Sequence, residues 1–163
     1  MTRVCLVGTD DANLQYELLS RETARDALAA YDLKEPYENT VAVETVSLGA
    51  AVALLNDLDW YLVRFVETSF VLEPSVSETE WLSRDLATAI RNDDIAPEDS
   101  GRFLRVYGVE YPDTDDGAGP TDPLPRLVEP MLVTRTDEQI PEYDLRDVDE
   151  TLLVRVTDGE FGA

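Results

Sequence analysis

Residues 41–72, VAVETVSLGAAVALLNDLDWYLVRFVETSFVL, decide how this chain is read. They are the most apolar part of a strongly acidic sequence, and positions 46–56 carry no charge at all. Val41, Val43 and Thr45 alternate with Ala42, Glu44 and Val46, and their β-branched side chains favour a strand. Ser47 then offers a hydroxyl as a helix N-cap. Leu48, Ala51, Val52 and Leu55 fall at i, i+3, i+4 and i+7, one helical face. Ala50, Ala53 and Leu54 make the remaining faces apolar too, which predicts a helix buried on more than one side. Asn56 and Asp57 end it. Positions 60–66, rich in aromatic and β-branched residues, read as a central strand. The segment 47–59 is long enough to connect two parallel strands, by a right-handed crossover if they are neighbours. A membrane span is excluded, because the uncharged run falls far short of the ~20 residues required.

Outward from this β-α-β unit, residues 3–8 read as a buried strand and 9–13 as a polar turn. Residues 14–19 are expected to form a hairpin strand, with Leu14, Tyr16 and Leu18 on one face. A helix there would carry its apolar phase into Glu22. Ser20 is expected to cap a helix presenting Ala24, Ala27, Leu28 and Tyr31, ended by Pro36. Residues 69–72 extend or follow the central strand, and Pro74 closes it. Ser77 and Glu80 have capping-box spacing, and Val76 and Trp81 that of a hydrophobic staple. With Leu82, Leu86, Ala89 and Ile90 they predict a helix over 78–92. Residues 103–110 alternate as a strand, and 131–135 and 152–156 as two more. Between positions 112 and 130 lie five prolines and two glycines, the composition of an acidic loop or linker. The reading is a single domain, 1–163, of α+β or α/β class. It has a mixed sheet of about six or seven strands with three helices around the central β-α-β unit.

The chain has 35 acidic and 13 basic residues, a formal charge of −22, and no histidine. Lys34 is the only lysine; the other 12 basic residues are arginine. Such a charge destabilises a compact fold by self-repulsion, but in molar salt the Debye length falls to about 3 Å and the repulsion is screened. The composition therefore points to a high-salt cytoplasm. Disorder is excluded by a hydrophobic content of 44% arranged in regular patterns. Cys5 is the sole cysteine, so no internal disulfide forms. The first residues, MTRVCLVG, lack a signal-peptide pattern.

The missing histidine rules out Ser-His-Asp and Cys-His mechanisms within one chain, and any His-ligated zinc site. One cysteine rules out zinc held by several thiolates. Neither G-x-x-x-x-G-K-[ST] nor G-x-G-x-x-G occurs. Cys5 reads as a small core residue and Lys34 as a surface amine, since a Schiff-base lysine needs desolvation. Thr9, Asp10 and Asp11 follow the first strand, where open α/β sheets bind ligands; two carboxylates there suit a ligand or a hydrated Mg²⁺. The competing reading is a solvated turn, the usual place of aspartate. Asp113, Asp115, Asp116 and Gly117 hint at a calcium loop, but Ala118 and Leu124 stand where an EF-hand needs glycine and glutamate. No metal or cofactor is assigned. Phe103, Arg105 and Tyr107 share a strand face on which bases could stack, although −22 opposes phosphate approach, and Arg105 has many carboxylates to pair with.

With VCLVGTDD, YELLSRETARDAL and ENTVAVETVSLGAAVALLND in view, the chain resembles a small, uncharacterised haloarchaeal family of unknown function. The resemblance covers about the first two-thirds and implies a high-salt cytoplasm; it brings no activity, ligand or catalytic residue. The functional expectation is a non-catalytic interaction or regulatory module with a protein partner and no membrane. The alternatives are a small-ligand or divalent-metal enzyme using Asp10 and Asp11, and a single-strand nucleic-acid binder. The acid-rich composition makes one prediction directly: transfer from molar to millimolar salt unfolds the protein. Circular dichroism melts across a KCl series test this, and an unchanged melting temperature would contradict it.

Overall fold

The computed structural model describes residues 1–111, 124–134 and 150–161, and in it the sheet is built outward from strand β1 (Thr2–Gly8). Val4 and Leu6 of β1 face one apolar layer and Cys5 the other, and all three are buried. Helices α1 (Leu14–Leu19) and α2 (Glu22–Leu28) lead into β2 (Thr40–Thr45), which pairs antiparallel with β1, Cys5 opposite Ala42. Helices α3 (Leu48–Asp57) and α4 (Asp59–Phe65) lead on into β3 (Val66–Leu72), which takes the other edge of β1, Cys5 opposite Phe70. Strands β2 and β3 therefore run parallel with β1 between them. The expected β-α-β unit exists, but its strands are not neighbours and its crossover holds two helices.

A short strand, β4 (Trp81–Ser83), pairs with β3 and passes directly into α5 (Arg84–Arg91). After a 3₁₀ turn at Pro97–Asp99 come β5 (Phe103–Glu110), β6 (Arg126–Thr134), β7 (Glu150–Val156) and the short helix α6 (Asp158–Phe161). The sheet order is β2-β1-β3-β4-β7-β5-β6. Neighbours are antiparallel except β4 and β7, so the sheet is mixed. The described residues hold six α-helices, where three were expected.

The differences have local causes. Residues 60–66 are mostly helix, not strand: Leu58, Tyr61 and Leu62 are buried and Phe65 half-buried, the i, i+3, i+4, i+7 spacing that the β-branched composition masked. Residues 14–19 are helical as well. Leu14 and Leu18 are buried one turn apart, and the Asn13 side chain accepts from the Tyr16 amide as an N-cap. Glu22 raises no conflict because it opens a new helix. Ser20 ends α1; the N-cap of α2 is Arg21, which makes no side-chain cap bond. Ser77 accepts from the Glu80 amide at 3.0 Å, as the capping-box spacing requires, yet this closes a turn. Strand β4 intervenes, and α5 starts six residues later than predicted, capped by Ser83 on the Leu86 amide. Residues 126–130, expected in the proline-rich loop, belong to β6, with Pro130 on an edge strand where a missing N–H is tolerated. Positions 112–123, including the aspartates compared with a calcium loop, and the acidic 137–149 lie outside the described residues.

Ser47 caps α3 as the sequence predicts, accepting from the Ala50 amide at 3.1 Å. Ala51, Val52, Leu54 and Leu55 of α3 are buried with Val4, Leu6, Val41, Val43, Val71 and Leu82 of the sheet. Ala53 is exposed, so the burial of α3 is extensive but not complete. The opposite face of the sheet is also apolar: Cys5, Phe70, Tyr107, Val109, Leu152, Val154 and Val156 form a second core. The sheet buries this face by curling upon it. The Glu38 amide, just before β2, donates to the Pro125 carbonyl, just before β6, at 2.8 Å. In a flat sheet, six strand spacings would hold those edges roughly 28 Å apart. Arg155 of β7 crosses to the helical side, where its guanidinium meets Glu80 at 2.8 Å and the Ser100 hydroxyl at 3.0 Å, almost out of solvent.

Gly8 closes β1 at the tightest backbone approach among the described glycines. An added Cβ would stand 2.7 Å from Asn39 Nδ2 and 2.9 Å from Leu14 Cβ. Asn39 sits at φ 56° and joins three segments: its side chain donates to the Thr9 carbonyl and accepts from the Leu14 amide, both at 2.9 Å, while its carbonyl accepts from the Gly8 amide. Because these bonds fix Asn39, a methyl group at Gly8 cannot be accommodated by rotating it away. Gly8→Ala is expected to cost about 2–3 kcal/mol by overpacking, measured by urea unfolding in molar salt. Ala12→Gly, in the adjoining turn, is the control and should cost well under half as much.

Candidate functional site

Closure of the sheet is incomplete at one end, and a cleft opens there. It is built by the segment that runs along the outer edge of β2. Lys34 exchanges two main-chain hydrogen bonds with Ala42, at 2.9 and 2.8 Å, which fixes residues 31–37 against the strand. Tyr31 and Tyr37, on either side of Lys34, form one wall. Arg3 and Glu44, opposite each other across β1 and β2 and paired at 3.3 Å, form the second. Trp81 at the start of β4 forms the third. Met1, Asp32 and Pro36 contribute to the rim, and the cavity measures about 450 Å³. That is the size of a small-molecule site.

The inner end of this cleft is the second core. Phe70 packs edge-on against Trp81 and against Tyr107, with ring centroids 6.2 and 5.3 Å apart. Tyr37 rests on the same cluster. Burial pushes its phenol pKa up, and the negative charges that Cys5, Tyr111 and Glu150 carry when ionised push it further the same way. Tyr37 thus lies between β1 and the β5–β7 end of the sheet, spanning the curl. Lys34 is exposed, and among the described residues no carboxylate pairs with it. The walls therefore combine aromatic surface with one unanswered ammonium.

The residues singled out from the sequence lie elsewhere. Thr9, Asp10 and Asp11 do follow β1, in a turn held by the Thr9 amide on the Phe65 carbonyl. Both aspartates are exposed, and neither lines this cleft. Among the described residues no group of three or more His, Cys, Asp or Glu is placed to hold a metal ion. Phe103, Arg105 and Tyr107 do share a face of β5, but Tyr107 is buried against Phe70 and Phe103 is half-buried with Arg102 over its ring. Sequence reasoning noted Lys34 and Cys5 and missed the cleft. Its walls come from positions 1–44 and 81, which no local spacing connects. The available signal was compositional: a single lysine flanked by two tyrosines.

Fold and cleft together define a mixed α/β protein with a curled sheet and a ligand-sized opening at its mouth. The chain belongs to a family described as a family of unknown function, DUF5804, which matches residues 2–109. All the cleft-lining residues except Met1 lie within that span. No curated protein and no solved structure matches the chain. No helix among the described residues is long and apolar enough to cross a membrane.

Cys5 lies beneath the cleft, buried between Ala42 and Phe70. Burial raises its thiol from 9.0 to about 12. The unfolded chain releases that proton from about pH 9 while the folded chain holds it to about pH 12. Stability is therefore expected to fall as pH rises through that window, since the folded state binds more protons there. The native thiol should also resist iodoacetamide at pH 8 and react once the protein is unfolded in urea; rapid native labelling would contradict this placement.

Proposed function

We propose that this protein is a non-catalytic regulatory module that binds a small amphipathic molecule at the mouth of its curled sheet, in the cytoplasm of a halophile. The observation that supports this most is the conjunction of Tyr31, Tyr37 and Trp81 with an exposed Lys34, unpaired among the described residues, around one cavity of ligand size. Binding needs only apolar walls and a few placed polar groups. Lysine chemistry such as imine formation needs a desolvated amine, and Lys34 is exposed. The halophilic setting rests on the charge of −22 and on arginine as almost the sole cation. The readings built on Asp10 with Asp11, and on Phe103, Arg105 and Tyr107, have less support, since the first pair faces solvent and Tyr107 has little surface to offer a base.

A second reading, docking of a protein partner, is favoured by the outer surface of α1 and α4. Tyr16, Trp60 and Val63 are all exposed there, and the guanidiniums of Arg64 and Arg21 lie over the Trp60 ring, 3.8 and 5.4 Å from its centroid. Tryptophan and arginine are the side chains that most often dominate interface energetics.

The cleft reading is tested with Trp60→Phe protein, in which Trp81 is the only tryptophan. In molar KCl, benzyl alcohol should shift Trp81 emission saturably in the millimolar range, about the affinity a fragment of this size can reach. Tyr31→Ala should weaken the response. A Trp81 signal indifferent to benzyl alcohol and to related ring-bearing probes would overturn the reading.

A further inference from the structure

We infer that the molecule bound in this cleft is a monoanion, a small ring or chain bearing one carboxylate that seats on Lys34; this rests on the ligand-binding reading above. The walls carry four charged side chains: Arg3, Lys34, Asp32 and Glu44. Arg3 is already answered by Glu44 at 3.3 Å. Of the two side-chain cations, Lys34 is the one left without a carboxylate among the described residues, and it is the only lysine in the chain; the Met1 α-ammonium, also at the rim, has the Glu73 carboxylate near it. An ammonium is a compact point charge on a flexible stem, suited to one oxygen anion at contact range rather than to the two-pronged recognition that arginine provides. Its root does not move, because the Lys34 main chain is bonded in both directions to Ala42.

Asp32 and Glu44 set the upper limit on charge. With Arg3 answered by Glu44 and the Met1 α-ammonium close to Glu73, a single negative charge satisfies Lys34, while a phosphate dianion meets both Asp32 and Glu44. The total charge of −22 does not forbid a small anion. In molar salt, charges more than a few ångströms away are screened to about a 3 Å Debye length, so groups in contact decide. The remainder of the ligand is set by Tyr31, Tyr37 and Trp81, which offer flat apolar surface and no further unpaired cation.

The experiment compares three probes with the same ring in Trp60→Phe protein at molar KCl: benzyl alcohol, phenylacetate and phenyl phosphate. Phenylacetate is expected to bind about fivefold more tightly than benzyl alcohol, the scale of one partly exposed ion pair. Lys34→Gln should abolish that preference, the two probes then binding about equally, and the substitution spares the fold because its structural bonds are main-chain. Arg25→Gln, on α2 and outside the cleft, should leave the preference in place. Equal affinity for phenylacetate and benzyl alcohol, or a preference that survives Lys34→Gln, would sink the carboxylate assignment and leave the ligand-binding reading standing. Tighter binding of phenyl phosphate than of phenylacetate overturns the monoanion limit. Failure of all three probes removes the ligand-binding reading itself.

Discussion

Two apolar faces on the same strands are the constraint from which the rest of this structure follows. In β1, Val4 and Leu6 look one way and Cys5 the other; in β3, Val71 and Phe70 divide likewise. The five helices that precede β5 cover one face only. Leaving the other in water would expose Phe70, Tyr107, Val154 and Val156, each worth roughly 1.5–3 kcal/mol when buried. Strands twist in any case, and here the twist accumulates until the approaches to β2 and β6 touch through Glu38 and Pro125. The same motion limits the exposed edges that a seven-stranded sheet would otherwise offer to other chains. The cleft is the place where this closure stops short.

What the sequence disclosed, and what it hid, follows the range of the forces involved. Caps and alternation are local, so Ser47 on α3, the alternation in β5 and the apolar stripe of Leu48, Ala51, Val52 and Leu55 were visible beforehand. Two segments of equal apolar content went the other way. At 60–66 the aromatic and β-branched composition outweighed the helical spacing of Leu58, Tyr61, Leu62 and Phe65. At 14–19 a helix of under two turns gave the period too little room to show. The Ser77–Glu80 turn is a sharper case: the local bond forms as its spacing dictates, but Trp81–Ser83 is drawn into the sheet between β3 and β7. Tertiary pairing overrides a correct local signal there. The cleft was hidden for the same reason, since Trp81 reaches Tyr31 and Arg3 only through the strand order.

Charge is distributed by a different logic from shape. Among the described residues most carboxylates are exposed, and the few with deep partners hold particular joints. Glu80 meets Arg155, and the Glu160 carboxylate accepts from the Ser83 hydroxyl at 2.5 Å and from the Thr157 amide at 3.0 Å. These contacts fasten the last helix to the start of α5. Lys34 departs from this pattern, as a cation held at a cavity rim with no acid paired to it among the described residues.

The position of β7 reaches beyond the static picture. It lies between β4 and β5, although among the described residues it is the last strand in sequence. The family match ends at residue 109, so the matched span contains β5 but neither β7, which joins β5 to the older half, nor β6. During synthesis, the first four strands and their helices can assemble as they leave the ribosome. Strand β5 must wait, with one flank unsatisfied, until some forty later residues have emerged and β7 slots into the gap. A polypeptide laid out this way keeps a gap in the middle of its hydrogen-bonded fabric until a segment far downstream of β5 has been made.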